Sequence, residues 1–302
     1  MTCCIVGQTE AANTKGLFSM QHTRSGVALV TGTSSGIGLE TAVALAKAGF
    51  TVVATMRNPE RAQALRAKVQ EATVEVDIRK LDITSDAEAE QCISEVLATH
   101  GTIDVLVNNA GSGFVGTLEQ VSLDEIREVL EVDFLGTARM TKLVLPHMRE
   151  RGVGRILSVT SVGGVVGQPF NDVYCAAKFA VEGLLEGLAP VAQSFGVHIA
   201  VIEPGAVASA FIDNAAPSVE ARSQAGNDPY QALWQNYLKV VNGSFSSAQN
   251  PAEVAQVLVQ AATEENPRFR YQTSPSSQAF AGLKLSDLDG SKVQGMTGRW
   301  IQ

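Results

Sequence analysis

From residue 27 onward, short apolar runs alternate with longer amphipathic stretches. The runs are Val27–Thr31, Thr51–Thr55, Val74–Ile78, Ile103–Val107, Arg155–Thr160 and Val197–Ile202. Runs of this kind suit strands buried on both faces, and the stretches between them supply crossover helices. The pattern therefore predicts an α/β fold, a doubly wound parallel sheet of Rossmann type. Helix starts are marked by Asn58-Pro59, by Ser122 with Glu125 three residues on, and by Asn250-Pro251 with Glu253. Two long helices are expected at about 123–150 and 172–195. Residues 1–25 show no periodicity and read as a mobile tail, with Met20 as an alternative start. Residues 26–273 read as one domain and 274–302 as a C-terminal extension. The stretch 209–247 breaks the alternation: it is polar, with Phe211, Tyr230, Trp234 and Tyr237 spaced through it. Such an insertion reads as a lid over a ligand, or else as a helical hairpin packed on the body.

Composition narrows the partners. Lys and Arg total 23 against 31 Asp and Glu, a net charge of -8, so neither nucleic acid nor an anionic membrane is expected as a partner. Cys3, Cys4, Cys92 and Cys175 have no paired spacing, so neither a disulfide framework nor a metal site is expected. No stretch reaches the roughly 20 apolar residues of a membrane span, and the chain reads as cytoplasmic.

Candidate chemistry lies in two places. Directly after the first strand comes Thr31-Gly32-Thr33-Ser34-Ser35-Gly36-Ile37-Gly38, leading into a helix. Glycines there let a pyrophosphate approach the helix N-terminus, where free amides and the helix dipole favour an anion. Farther on, Tyr174 and Lys178 stand four positions apart in a run of small residues, on one face of a helix. A nearby cation lowers the pKa of a phenol and suits it to proton exchange. At the end of the second strand, Thr55-Met56-Arg57 offers a guanidinium where a ribose-binding carboxylate would exclude a 2′-phosphate. That choice favours NADP over NAD.

Five ordered motifs together resemble the short-chain dehydrogenase/reductase family. They are the Thr31–Gly38 turn, Asn108-Asn109-Ala110-Gly111, Ser161 thirteen positions before Tyr174, Tyr174-x-x-x-Lys178, and Pro204-Gly205. Further likeness around Ser161–Ala176, Phe195–His198 and Gln249–Ala255 is to steroid- and retinol-acting members. The resemblance implies hydride exchange between NADP and a carbonyl or secondary alcohol, with Ser161, Tyr174 and Lys178 as catalytic residues. It implies a nucleotide site of Gly32, Ser34, Ser35, Gly36, Ile37, Gly38, Arg57, Asp82, Ile83, Asn109, Ala110, Gly111, Lys178, Pro204, Gly205 and Val207. It also implies a homodimer or homotetramer and a fairly apolar, steroid- or retinoid-like small-molecule substrate. Phe114, Val115, Phe170, Phe211 and Trp234 are candidates for the apolar pocket or for the core.

Two features depart from the family pattern. Asp133 stands where many members carry an Asn that supports a proton relay from the Lys. No histidine occurs between Ile199 and Gln302, so the imidazole that steroid-acting members place at the far end of the ligand has no counterpart. The competing reading is a non-catalytic NADP-binding sensor or scaffold, which Asp133 alone favours.

Overall fold

The computed structural model of the chain describes residues 26–209, 228–245 and 248–302. The predicted tail 1–25 and, in the expected lid, residues 210–227 with Phe211 and residues 246–247 lie outside the described residues. The first predicted strand, β1 (Val27–Thr31), is buried along its whole length and pairs in parallel with β2 (Thr51–Met56) and β4 (Val105–Asn108). Beyond β2 lies β3 (Asp77–Lys80); beyond β4 follow β5 (Gly154–Val159), β6 (Val197–Glu203) and β7 (Arg270–Gln272). The order β3-β2-β1-β4-β5-β6-β7 is parallel throughout. Strand order reverses between β1 and β4, and such a switch point opens a crevice at the carboxyl ends of the strands.

Helices cover both faces. On one face α1 (Gly36–Lys47), α2 (Gln63–Ala72) and α8 (Pro251–Thr263) bury Leu39, Leu65 and Leu258 against Val30 and Val52. On the other, α3 (Asp86–His100), α5 (Gly136–Arg151) and α6 (Asp172–Gln193) bury Ile93, Met140 and Leu185 against Leu29 and Leu106. The remaining helices are α4 (Leu123–Leu130), α7 (Gln231–Phe245), α9 (Pro275–Leu285) and α10 (Ser291–Thr297). No described helix is long and apolar enough to cross a membrane.

Three local differences from expectation have physical causes. The third strand begins at Asp77 rather than Val74, because Thr73 adopts a left-handed conformation and the Val74 N–H bonds back to the Val69 carbonyl, closing α2. The long helix expected at 123–150 is interrupted by a π-turn at Glu131–Leu135, where the Gly136 N–H donates to the carbonyl of Glu131 five residues back. The expected lid contains a helix, α7. On either side of this stretch, Val207 and Gln249 pair as an isolated bridge.

Candidate active site

The turn after β1 is shaped by close approach. Gly32 has φ +72°, and a Cβ on it would lie 2.7 Å from the Ala110 backbone. A Cβ on Gly38 would lie 2.3 Å from the Gly32 carbonyl oxygen and equally near the Asn109 amide, so α1 packs directly onto its own turn. The Asn109 side chain donates to the carbonyls of Thr31 and Gly32 at 2.9 and 3.0 Å, tying the end of β4 to this turn. Ser35 caps α1 without a side-chain hydrogen bond, and no acidic residue occupies the first helical turn. The exposed amides and the helix dipole therefore face the cleft, and this cradle fits a pyrophosphate. At the end of β2, Arg57 is exposed and has no ion-pair partner among the described residues. Nearby Asp82 accepts hydrogen bonds from the Thr84 N–H and hydroxyl. Burial pushes the Asp82 carboxyl up, but the Thr84 bonds and the charges of Arg57 and Lys80 hold it below its ordinary value.

The second half of the site is carried by α6. Lys178 is buried, its Nζ 5.6 Å from the centre of the Tyr174 ring and 3.0 Å from Asp133 Oδ1. Tyr174 hydrogen-bonds with Ser161, whose Oγ also accepts from the Gly163 N–H at 2.9 Å. The Val162 N–H bonds to the Pro204 carbonyl, so the turn after β5 is braced against the end of β6. The expectation that Lys178 lowers the phenol's pKa is only partly met. Burial dominates and holds Tyr174 above its ordinary value, Asp133 adds to that, and Lys178 and Ser161 pull it down without prevailing.

One helical turn beyond Lys178, the buried Glu182 accepts from the Thr160 hydroxyl at 2.7 Å and pairs with Arg270, which also meets Glu203 and Glu186. This network pins α6 to the ends of β5, β6 and β7, and nothing in the sequence pattern marked it. Burial, reinforced by the Glu203 charge, pushes the Glu182 carboxyl up to about 7. A raised carboxyl binds its proton more tightly in the folded protein. Its contribution to stability is complete below the ordinary carboxylate range and is lost as the pH rises through about 7. Stability against thermal unfolding is expected to fall by up to ~3 kcal/mol between pH 4.5 and 7 relative to Glu182→Gln, measured by melts across that range.

Every residue singled out from the sequence for catalysis or nucleotide binding lines one continuous cleft of about 1300 Å³. Of the apolar candidates, Phe114, Val115 and Trp234 line it, whereas Phe170 does not and packs with Trp234 and Tyr237 in a buried aromatic cluster. Phe170 lies 5.2 Å from both Trp234 and Tyr237, and the Asn171 amide donates to the Tyr237 hydroxyl at 2.7 Å. That cluster docks α7 on the body. The Phe170 φ of +59° is strained for a bulky residue and is held by the Gly116 N–H bonding to its carbonyl. The sequence reading missed the far wall, where the rings of Phe280 of α9 and Trp300 lie 5.9 Å apart and tilted by 30°.

The model of the short chain dehydrogenase family matches residues 26–219. The chain belongs to that family. Human retinol dehydrogenase 8 is 40% identical over 280 residues, covering 90% of this chain and 89% of its own length. Human 17-beta-hydroxysteroid dehydrogenase type 1 is 41% identical over 278 residues, covering 88% and 82%. A solved short-chain dehydrogenase from Streptomyces avermitilis superposes with a TM-score of 0.75 at 29% identity, covering 91% of this chain and 98% of that one. The seven-stranded parallel sheet is this short-chain dehydrogenase fold, and the chain is an oxidoreductase that takes a nicotinamide cofactor.

Proposed function

We propose that this short-chain dehydrogenase reduces a ketone or aldehyde on a fairly apolar, steroid- or retinoid-like molecule, reversibly and with NADP(H). The observation that carries this reading is the convergence of Ser161, Tyr174 and Lys178 on the cleft that also holds the glycine-rich turn and Arg57. When bound, the nicotinamide supplies or accepts the hydride. Tyr174 gives its proton to the substrate oxygen during reduction, and Ser161 donates a second hydrogen bond to that oxygen as negative charge develops on it. Lys178 holds the nicotinamide ribose. Ser34, Ser35 and the amides at the start of α1 hold the phosphates, Arg57 pairs with the 2′-phosphate, and Asp82 and Ile83 take the adenine side. Asn109, Ala110, Gly111, Pro204, Gly205 and Val207 complete the nucleotide walls.

Substrate class is read from the other end of the cleft, where Trp234, Leu238, Val241, Phe280 and Trp300 make an apolar wall. The relatives named for retinol and hydroxysteroids support the same class. A panel of ketones, aldehydes and alcohols, followed at the nicotinamide absorbance with NADPH and with NADH, tests the reading. Turnover of bulky apolar carbonyls is expected, and none with any of them would reject it. Trp300→Ala is expected to raise KM for a fused-ring carbonyl by about tenfold while leaving that of a small ketone unchanged, since removing apolar pocket contacts costs ~1–3 kcal/mol.

A further inference from the structure

The π-turn at Glu131–Leu135 has one polar product. It carries Asp133 into the protein between α4 and α5, where the side chain is fully buried. A π-turn replaces ordinary helical bonding, and such turns recur at functional sites. Here the carboxylate pairs with Lys178 Nζ at 3.0 Å and accepts from the Ser112 N–H at 3.2 Å and the Ser112 hydroxyl at 3.3 Å. The backbone closes on this pair without slack. A Cβ on Gly111 would lie 2.6 Å from Asp133 Oδ1 and 3.3 Å from Lys178 Nζ.

The pair alters what Tyr174 experiences. A lone buried ammonium 5.6 Å from the ring would favour the phenolate, but an ammonium already matched by a buried carboxylate presents little net charge. We propose that Asp133 is a charge partner of Lys178 that reserves the proton on Tyr174, so that this site favours carbonyl reduction and makes alcohol oxidation conditional on alkaline pH. The inference rests on the reading of Tyr174 as the proton donor. In reduction the phenolic O–H bond breaks and the O–H bond of the product alcohol forms, and Tyr174 must begin as a phenol. In oxidation the alcohol O–H breaks and the phenol re-forms, so Tyr174 must first have lost its proton to solvent. The charged and titratable groups facing this centre are Lys178, Cys175 and Glu182 from α6 and Asp133 from the π-turn. Cys175 stays a neutral thiol, since burial pushes it up to about 12. Burial and Asp133 together hold the Tyr174 phenol above its ordinary value against Lys178 and Ser161.

An ultraviolet difference titration of the full-length protein without cofactor tests this apart from turnover. The chain has four tyrosines, so subtracting the curve of Tyr174→Phe isolates Tyr174. Tyr174 is expected to ionise above about 10 in the unaltered protein and at least about one unit lower in Asp133→Asn, the shift an uncancelled cation at this range produces. An unchanged midpoint in the folded variant overturns the proposal, as does ionisation of the unaltered Tyr174 at or below about 10. Should Asp133→Asn fail to show native circular dichroism, Asp133→Ser removes the same charge and is read by the same criterion. The alkaline limb of the oxidation rate is expected to move down by the same amount in either variant. Turnover retained by Tyr174→Phe together with a shifted titration would reject Tyr174 as the proton donor and leave the charge pairing standing.

Discussion

Replacing Tyr174 by Phe is expected to lower kcat/KM by about 10²–10⁴-fold, the span that a positioned acid or base contributes. The ring is half-buried in the wall of the cleft, so Phe keeps the packing of α6 and loses only the hydroxyl. Ser161 retains its bond from the Gly163 N–H, and Lys178 retains its pairing with Asp133, so neither neighbour is freed to take over the proton. In the proposed site the phenol touches the substrate oxygen and not the phosphates or adenosine. Fluorescence titration of NADPH on the variant should therefore give nearly the original Kd, while single-turnover reduction of a carbonyl collapses. Unimpaired turnover would remove the phenol from the chemistry. Loss of NADPH binding together with turnover would mean that its role is structural.

The fold was legible because burial acts on whole runs. β1, β2, β5 and β6 are hidden on both faces, so their sequences are largely apolar without strict alternation, and strands of that kind leave few alternatives to a helix-covered parallel sheet. The nucleotide cradle was legible because its demands fall on single residue types at fixed spacing. Gly32 and Gly38 stand where any Cβ collides with backbone. The third strand was misplaced because Val74 and Val76 alternate with polar residues as strand positions do, while the positive φ of Thr73 that ends α2 leaves no mark in an ordinary threonine.

What stayed hidden depends on contacts between distant residues. The π-turn occupies a stretch whose residues would serve equally in a regular helix, so Asp133 was legible as a substitution able to pair with Lys178, while its full burial was not. Glu182, Glu203 and Arg270 come from α6, β6 and β7, and only sheet order brings them together. The far wall of the pocket was missed for the same reason. Phe280 and Trp300 lie in the segment taken as a C-terminal extension, yet they face the cleft because α9 starts beside the turn after β6. A Cβ on Gly205 would lie 2.9 Å from the Ser277 hydroxyl, which places the two segments in contact.

Arg57→Asp is expected to move the preference from NADPH toward NADH by about two orders of magnitude in the ratio of kcat/KM values. Arg57 follows β2 at the rim of the cleft, exposed and without an ion-pair partner among the described residues. A charge-assisted hydrogen bond to a phosphate contributes ~1.5–3 kcal/mol, which corresponds to roughly 10- to 100-fold in affinity. The replacement adds two further effects of the same sign for selectivity. The introduced carboxylate would stand near that of Asp82, whose charge Arg57 now offsets, so two anions would repel the 2′-phosphate. The same introduced group would accept a hydrogen bond from the free 2′-hydroxyl of NADH. KM for NADPH should rise and KM for NADH should fall, with kcat on a common carbonyl little altered, because position 57 lies at the adenosine end of the proposed site. Thermal stability should change little, since Arg57 is exposed and its charge interaction with Asp82 is screened by solvent. Screening supplies an internal control: added salt should weaken NADPH binding to the original protein more than NADH binding, and the sign of that difference should reverse in the variant, where salt relieves the repulsion of the 2′-phosphate. An unchanged cofactor ratio would remove Arg57 from phosphate recognition and with it the residue-level ground for choosing NADP.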